Sequence, residues 1–139
     1  MKQTEPDAAR RRLLVIGDEP VLHALLCDRV GAAFDVSGHP GGHADALAMA
    51  RMADVDVVLF DADLKDAVPP DVVAGIVLVC ASPVVALSAV AGPGSAAAAA
   101  LLLAGARAVL HKPAGRLPLD LGGRFGEHLT ASLQQAARA

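Results

Sequence analysis

The stretch Asp56-Val57-Val58-Leu59-Phe60-Asp61 runs through four consecutive apolar residues and closes on a carboxylate. A run without polar alternation suits a strand covered on both faces, as strands are in a parallel sheet packed between helices. Ligands and chemistry gather at the carboxyl edge of such sheets, so Asp61 stands where function is expected.

The rest of the chain repeats this strand with helical stretches between, the pattern of successive βα units. Leu13 to Ile16 reads as the first strand, ended by Gly17-Asp18-Glu19. Pro20 suits a first helical position, and Val21, Leu22, Leu25, Leu26 and Val30 recur at helical spacing up to Ala33. Phe34 to Ser37 is the second strand, and His39-Pro40-Gly41-Gly42 turns the chain into an Ala/Met-rich helix from Asp45 to Ala53. Pro69-Pro70-Asp71 opens a helix reaching about Cys80, Ser82-Pro83 interrupts it, and Val84 to Ser88 is the fourth strand. A rival register takes Ile76-Val77-Leu78-Val79 as the fourth strand, which puts Cys80 in place of Ser88 and leaves a long crossover behind it. The Ser88 register is preferred. Gly92-Pro93-Gly94-Ser95 turns into a helix from Ala96 to Ala104, ended by Gly105. Ala108 to His111 is the fifth strand and delivers Lys112-Pro113 to the same edge. After a turn at Gly115, a last helix carries Leu121, Phe125, Leu129 and Leu133 at four-residue spacing, with Gly122, Gly123 and Gly126 weakening its start. The fold expected is α/β: a single-domain, doubly wound, five-stranded parallel sheet flanked by helices, with residues 1–10 a flexible lead and 11–139 the domain.

Composition narrows the function. Twelve basic residues against fifteen acidic give a formal charge of -3, so no chain-wide basic field draws the protein to nucleic acid or an anionic membrane. The one basic cluster, Arg10-Arg11-Arg12, reads as a solvated lead-in to the first strand. No apolar stretch approaches the roughly 20 residues that span a bilayer, and the first residues lack a signal-peptide core, so a cytoplasmic chain is expected. Cys27 and Cys80 read as buried thiols, without a CxxC or a ligand-spaced histidine. His39 and His43 flank a glycine pair and read as loop residues, lacking a third metal ligand nearby.

The carboxyl ends of the strands collect Asp18, Asp61, Ser88 and Lys112. With the segments Leu14-Val15-Ile16-Gly17-Asp18-Glu19-Pro20, Val58-Leu59-Phe60-Asp61, Pro83-Val84-Val85-Ala86-Leu87-Ser88-Ala89 and Gly105-Ala106 through Lys112-Pro113, the set resembles the receiver domains of bacterial response regulators over residues 12 to 115. The ending, Lys112-Pro113-Ala114-Gly115 and Leu117-Pro118-Leu119-Asp120-Leu121, is similar to the receiver half of chemotaxis protein-glutamate methylesterases. The resemblance implies a flavodoxin-like, CheY-like (βα)5 fold that is not itself an enzyme. It further implies a phosphoryl group accepted on Asp61 from a histidine kinase, and a signal passed to an effector domain or a second copy through helix 4, strand 5 and helix 5.

Elementary chemistry points the same way. A carboxylate accepts a phosphoryl group only if charge developing on the phosphoryl oxygens is neutralised, which calls for a hard divalent cation and a fixed ammonium. Asp18 and Asp61 are candidate carboxylate ligands for Mg²⁺, with the backbone carbonyl of Asp63 as another. Lys112 would pair with the phosphoryl oxygens and Ser88 would donate a hydrogen bond to one of them.

Three departures favour a rival, a degenerate receiver that serves as a phosphorylation-independent interaction or dimerisation module. Gly17 stands where the family carries a second acid, and Glu19 is expected to point elsewhere because Pro20 fixes the register. Val109 replaces the aromatic residue of strand five. The loop after Asp61 reads Leu64-Lys65 and Val68-Pro69 where the family has Met-Pro and Asp-Gly, and Lys65 adds a charge beside the pocket. A nucleotide-binding or flavodoxin-like enzyme is disfavoured, since no Gly-rich phosphate loop follows strand one.

Overall fold

The computed structural model describes residues 10–65, 67–113 and 123–138. Five strands alternate with five helices: β1 (Arg11–Ile16), α1 (Pro20–Val30), β2 (Phe34–Ser37), α2 (His43–Met52), β3 (Val57–Asp61), α3 (Pro69–Val79), β4 (Val84–Ser88), α4 (Ala96–Ala104), β5 (Ala108–His111) and α5 (Arg124–Arg138). All neighbouring strands pair in parallel, in the order β2-β1-β3-β4-β5. The order reverses between β1 and β3, which opens a crevice beyond their carboxyl ends.

Alternation along each strand divides the core in two. Leu14, Ile16, Val58, Phe60 and Ala86 point to one face, where Ala46 and Ala50 of α2, Val72, Val73 and Ile76 of α3, and Ala98 and Leu101 of α4 cover them. Leu13, Val15, Val57, Leu59, Val85, Leu87 and Leu110 point to the other, under Leu26 and Val30 of α1 and Leu129, Leu133, Ala136 and Ala137 of α5. Every residue of β3 and β4 is therefore buried. This is the doubly wound sheet that the apolar runs predict.

Local chemistry sets the helix ends. α1 starts at Pro20, where Glu19 Oε1 accepts the Leu22 N–H at 2.8 Å. Glu19 thus turns to the helix and away from the strand edge. α1 stops at Val30, three residues short of Ala33, as the Gly31 N–H bonds the Cys27 carbonyl and the Ala33 N–H closes a turn on Val30. α2 begins two residues earlier than Asp45, because the Asp45 carboxylate reaches back to the Gly42 N–H at 3.3 Å. His43 is accordingly a helical residue, and only His39 remains in the loop.

The rival register for β4 is excluded. Ile76 to Val79 lie in α3, where Val72, Val73 and Ile76 recur at helical spacing on the buried side while Val77 and Leu78 face outward. The β-branched content that suggests a strand here is overridden by the two prolines at the helix start and by burial of one stripe. Leu121, the turn at Gly115 and most of the N-terminal lead lie outside the described residues.

The arginine run is more than a solvated lead-in. Arg10 bonds the carbonyls of Gly31 and Phe34, Arg11 donates to the Ala137 carbonyl at 2.9 Å, and Arg12 pairs with Asp54 at 2.9 Å. Cys27 and Cys80 are free thiols packed on opposite faces of the sheet, which rules out a bridge between them. Cys27 Sγ lies 3.5 Å from His23 Nδ1, and burial pushes its thiol pKa up.

After β2 the chain turns at Gly38 with φ +109°, and a Cβ there would sit 2.5 Å from the backbone oxygen of Val15. Neither the left-handed backbone nor the rigid β1 carbonyl can yield cheaply. Gly38→Ala is expected to cost about 1–3 kcal/mol of stability, read from chemical denaturation midpoints at unchanged m-value.

Candidate functional site

Of the described residues, the buried polar or charged ones are His23, Asp61, Ser88 and Lys112. Three of these four meet at the carboxyl edge of the sheet. The ladders bring them there: Asp61 pairs with Leu87, Ser88 pairs with His111, and the Lys112 N–H continues the ladder to the Ser88 carbonyl at 2.9 Å. Buried polar groups are costly unless partnered, and a cluster at one edge marks that edge as the chemical site.

Lys112 Nζ lies 2.8 Å from Asp61 Oδ1 and 2.6 Å from Asp63 Oδ2. Asp61 Oδ1 also accepts the Asp63 N–H at 3.1 Å. The Asp63 carboxylate accepts the Ala89 N–H at 2.9 Å and the Ser88 hydroxyl at 3.4 Å. Ser88 Oγ in turn accepts the Val90 N–H at 3.1 Å. Asp18, half-buried after β1, does not cap α1; its Oδ2 accepts the Lys65 N–H at 2.9 Å and so ties the β1 and β3 loops together. Lys65 therefore meets this edge through its backbone, and the residue is exposed. Gly17 is buried against the nucleophile candidate: a Cβ there would lie 3.1 Å from Asp61 Cβ and 3.5 Å from Asp61 Oδ2.

The structure thus joins Asp61, Ser88 and Lys112 in one hydrogen-bonded group, with Asp63 as the link, and sets Asp18 on the neighbouring loop. The sequence points to Asp63 only through its backbone carbonyl; the structure adds its side chain and the Ala89 N–H. The signal was an acid two residues beyond the strand end, close enough to fold back on the edge. His111, also unanticipated, has Nε2 3.0 Å from the Ala89 carbonyl, so that nitrogen carries the proton and donates.

Burial, the largest influence, pushes the Asp61 carboxyl above the ordinary carboxylate range, and the Asp63 charge adds to this. The hydrogen bond and charge of Lys112 and the Asp63 N–H pull it down without cancelling burial. Burial alone would lower Lys112, but the hydrogen bonds and charges of Asp61 and Asp63 outweigh it and hold the ammonium above the ordinary lysine value.

For a divalent cation, the donor chemistry is hard oxygen: the Asp18 and Asp61 carboxylates, which suits Mg²⁺ retaining several waters. Among the described residues no group of three or more His, Cys, Asp or Glu side chains is disposed to hold a metal.

The fold is that of response-regulator receiver domains. A particular likeness is to the response regulator domain of CheB from Thermotoga maritima, at a TM-score of 0.84 and 21% identity over 94% of this chain and 98% of that one. The receiver domain of the putative response regulator NarL from Mycobacterium tuberculosis superposes at 0.75 with 20% identity over 94% and 98% of the two chains. A Burkholderia pseudomallei response regulator, solved with a phosphorylated aspartic acid, a calcium ion and citrate, superposes at 0.72 with 22% identity over 92% and 69%. No family model matches the sequence, and no curated protein matches it. At these identities the likeness is one of fold.

The raised Asp61 carboxyl carries a pH signature. Below the ordinary carboxylate pKa the group is protonated both folded and unfolded, and burial exacts no charge penalty. As pH rises through the folded pKa, the unfolded chain releases its proton more readily, and this residue's contribution turns unfavourable. The stability of Asp61→Asn relative to wild type is therefore expected to increase between about pH 4 and neutrality. Parallel denaturant titrations across that range check it; a constant or shrinking difference contradicts it.

Proposed function

We propose that the chain is a phosphoacceptor receiver module of a two-component system, with Asp61 as the acceptor and a histidine kinase as the phosphodonor. The observation that carries this reading is the buried contact of Lys112 Nζ with Asp61 Oδ1, which leaves Oδ2 of the same carboxylate as nucleophile. Transfer forms a bond from Asp61 Oδ2 to phosphorus and breaks the donor's bond to phosphorus, whose electron pair leaves with the donor. Asp18, Asp61 and the backbone carbonyl of Asp63 would hold Mg²⁺, which when bound supplies positive charge against the phosphoryl oxygens. Lys112 neutralises a further oxygen as a fixed ammonium, and the Ser88 hydroxyl donates to another. The module spans residues 11–139 behind a short lead at 1–10. The similarity of its ending to methylesterase receivers supports a chemotaxis setting in the cytoplasm; among the described residues no helix is long and apolar enough to cross a membrane.

A second reading rests on Gly17. With one acid replaced by a buried glycine, cation affinity falls, and a module that binds partners without phosphorylation fits the same fold. Millimolar Mg²⁺ with acetyl phosphate separates the two. Wild type is expected to gain the mass of one phosphoryl group and to shift amide resonances near residues 18, 61, 88 and 112, whereas Asp61→Asn gains none. An unchanged wild type selects the second reading.

On the output surface expected of α4, β5 and α5, α4 contributes exposed apolar side chains. Leu103 is 88% exposed and Leu102 49% on α4. α4 has no polar side chain from Ala96 to Ala104 with which to specify a polar partner, which favours a second copy of the chain. Light scattering is expected to give a dimer for wild type and a monomer for Leu103→Glu. A monomer in both excludes self-association.

A further inference from the structure

Lys112 makes its shorter contact with Asp63 and not with Asp61. The Asp63 carboxylate collects three donors: Lys112 Nζ at 2.6 Å and the Ala89 N–H at 2.9 Å on Oδ2, and Ser88 Oγ at 3.4 Å on Oδ1. They come from the residue after β5, the residue after β4 and the last residue of β4. An ammonium, a backbone N–H and a hydroxyl directed into one small volume beside a carboxylate nucleophile constitute an anion subsite. A phosphoryl group on Asp61 would need charge neutralisation and hydrogen bonds in the same volume.

We propose that Asp63 is an intramolecular stand-in for the phosphoryl group. Its carboxylate fills the subsite of Lys112, Ala89 and Ser88, and it holds the loop after β4 in its anion-bound position while Asp61 is unmodified. The inference rests on the reading of Asp61 as phosphoacceptor. With acetyl phosphate as donor, Asp61 Oδ2 bonds to phosphorus, the bond from phosphorus to the acetate oxygen breaks, and acetate departs with the electron pair. The three remaining phosphoryl oxygens then take the donors that Asp63 had held, and the Asp63 carboxylate turns out to water. Its side chain is already 30% exposed, so the way out is open. Asp63 is thus a positioning residue that opposes transfer, since the incoming anion must displace it. One anion replaces another, so the Ala89 amide keeps an acceptor throughout.

The test follows Ala89 amide hydrogen exchange by NMR in wild type, Asp63→Ala and Asp63→Asn, first without metal or donor. The buried Leu59 amide of β3 serves as the reference for global stability. Mg²⁺ and acetyl phosphate are then added, and intact mass reports modification. Relative to Leu59, Ala89 is expected to exchange about tenfold faster in Asp63→Ala and to stay within about threefold of wild type in Asp63→Asn, whose amide oxygen still accepts. Phosphorylation is expected to be about fivefold faster in Asp63→Ala, and the phosphorylated fraction should regain Ala89 protection. Unchanged Ala89 exchange in the resting Asp63→Ala variant, equal phosphorylation rates, or no return of protection on phosphorylation overturns the stand-in. If no sample gains mass, the phosphoacceptor reading fails instead, and resting Ala89 exchange alone decides whether Asp63 fills the subsite.

Discussion

A lysine ammonium taken out of water is costly unless its charge and its N–H donors are met, and the carboxyl edge of this sheet is organised around meeting them for Lys112. Two carboxylates do so, one from the end of β3 and one from the loop beyond it. The contact is possible only because β3, β4 and β5 lie side by side in a register that pairs Asp61 with Leu87 and Ser88 with His111, so that residues 61, 88 and 112 emerge at one edge. That register depends in turn on the two-faced burial of the central strands, where a shift of one residue would exchange the faces of every side chain. Core packing and site chemistry are therefore one constraint seen at two ends of the same strands.

The strands were legible because their physics is local. Val57 to Phe60 and Val84 to Leu87 are apolar throughout, a pattern that suits strands enclosed on both faces, and Pro20, Pro69 and Gly105 mark helix ends by backbone preference alone. Asp61, Ser88 and Lys112 were legible because strand ends in a parallel sheet share an edge. The Asp63 side chain was not. Whether a loop acid turns to water or back to the edge depends on donors supplied by β4 and β5, which are remote in sequence. The arginine run escaped for the same reason: Arg11 finds its acceptor at Ala137, on the last helix. His43 and the true start of α2 turned on a single hydrogen bond from the Gly42 N–H to Asp45.

Gly17 links packing to electrostatics. A side chain at this position would press on Asp61 Cβ, so the glycine lets β1 and β3 close tightly where a second acid would hold more negative charge. With that second acid absent, Asp18 is the acid on the β1 side, while Lys112 neutralises Asp61 and Asp63 on the β3 side. The field that a cation approaching from the Asp18 side would meet is correspondingly weak.

Gly105 ends α4 at φ +123°, and a Cβ there would fall 2.9 Å from Val77 Cγ2 of α3. The glycine backbone at the end of α4 is seated directly on the Val77 side chain of α3. Sliding α4 along the sheet would drive backbone into Val77, so the pair resists shear and yields more readily by moving together. The two helices joined at this contact carry Leu78 and Leu103, exposed on α3 and on α4.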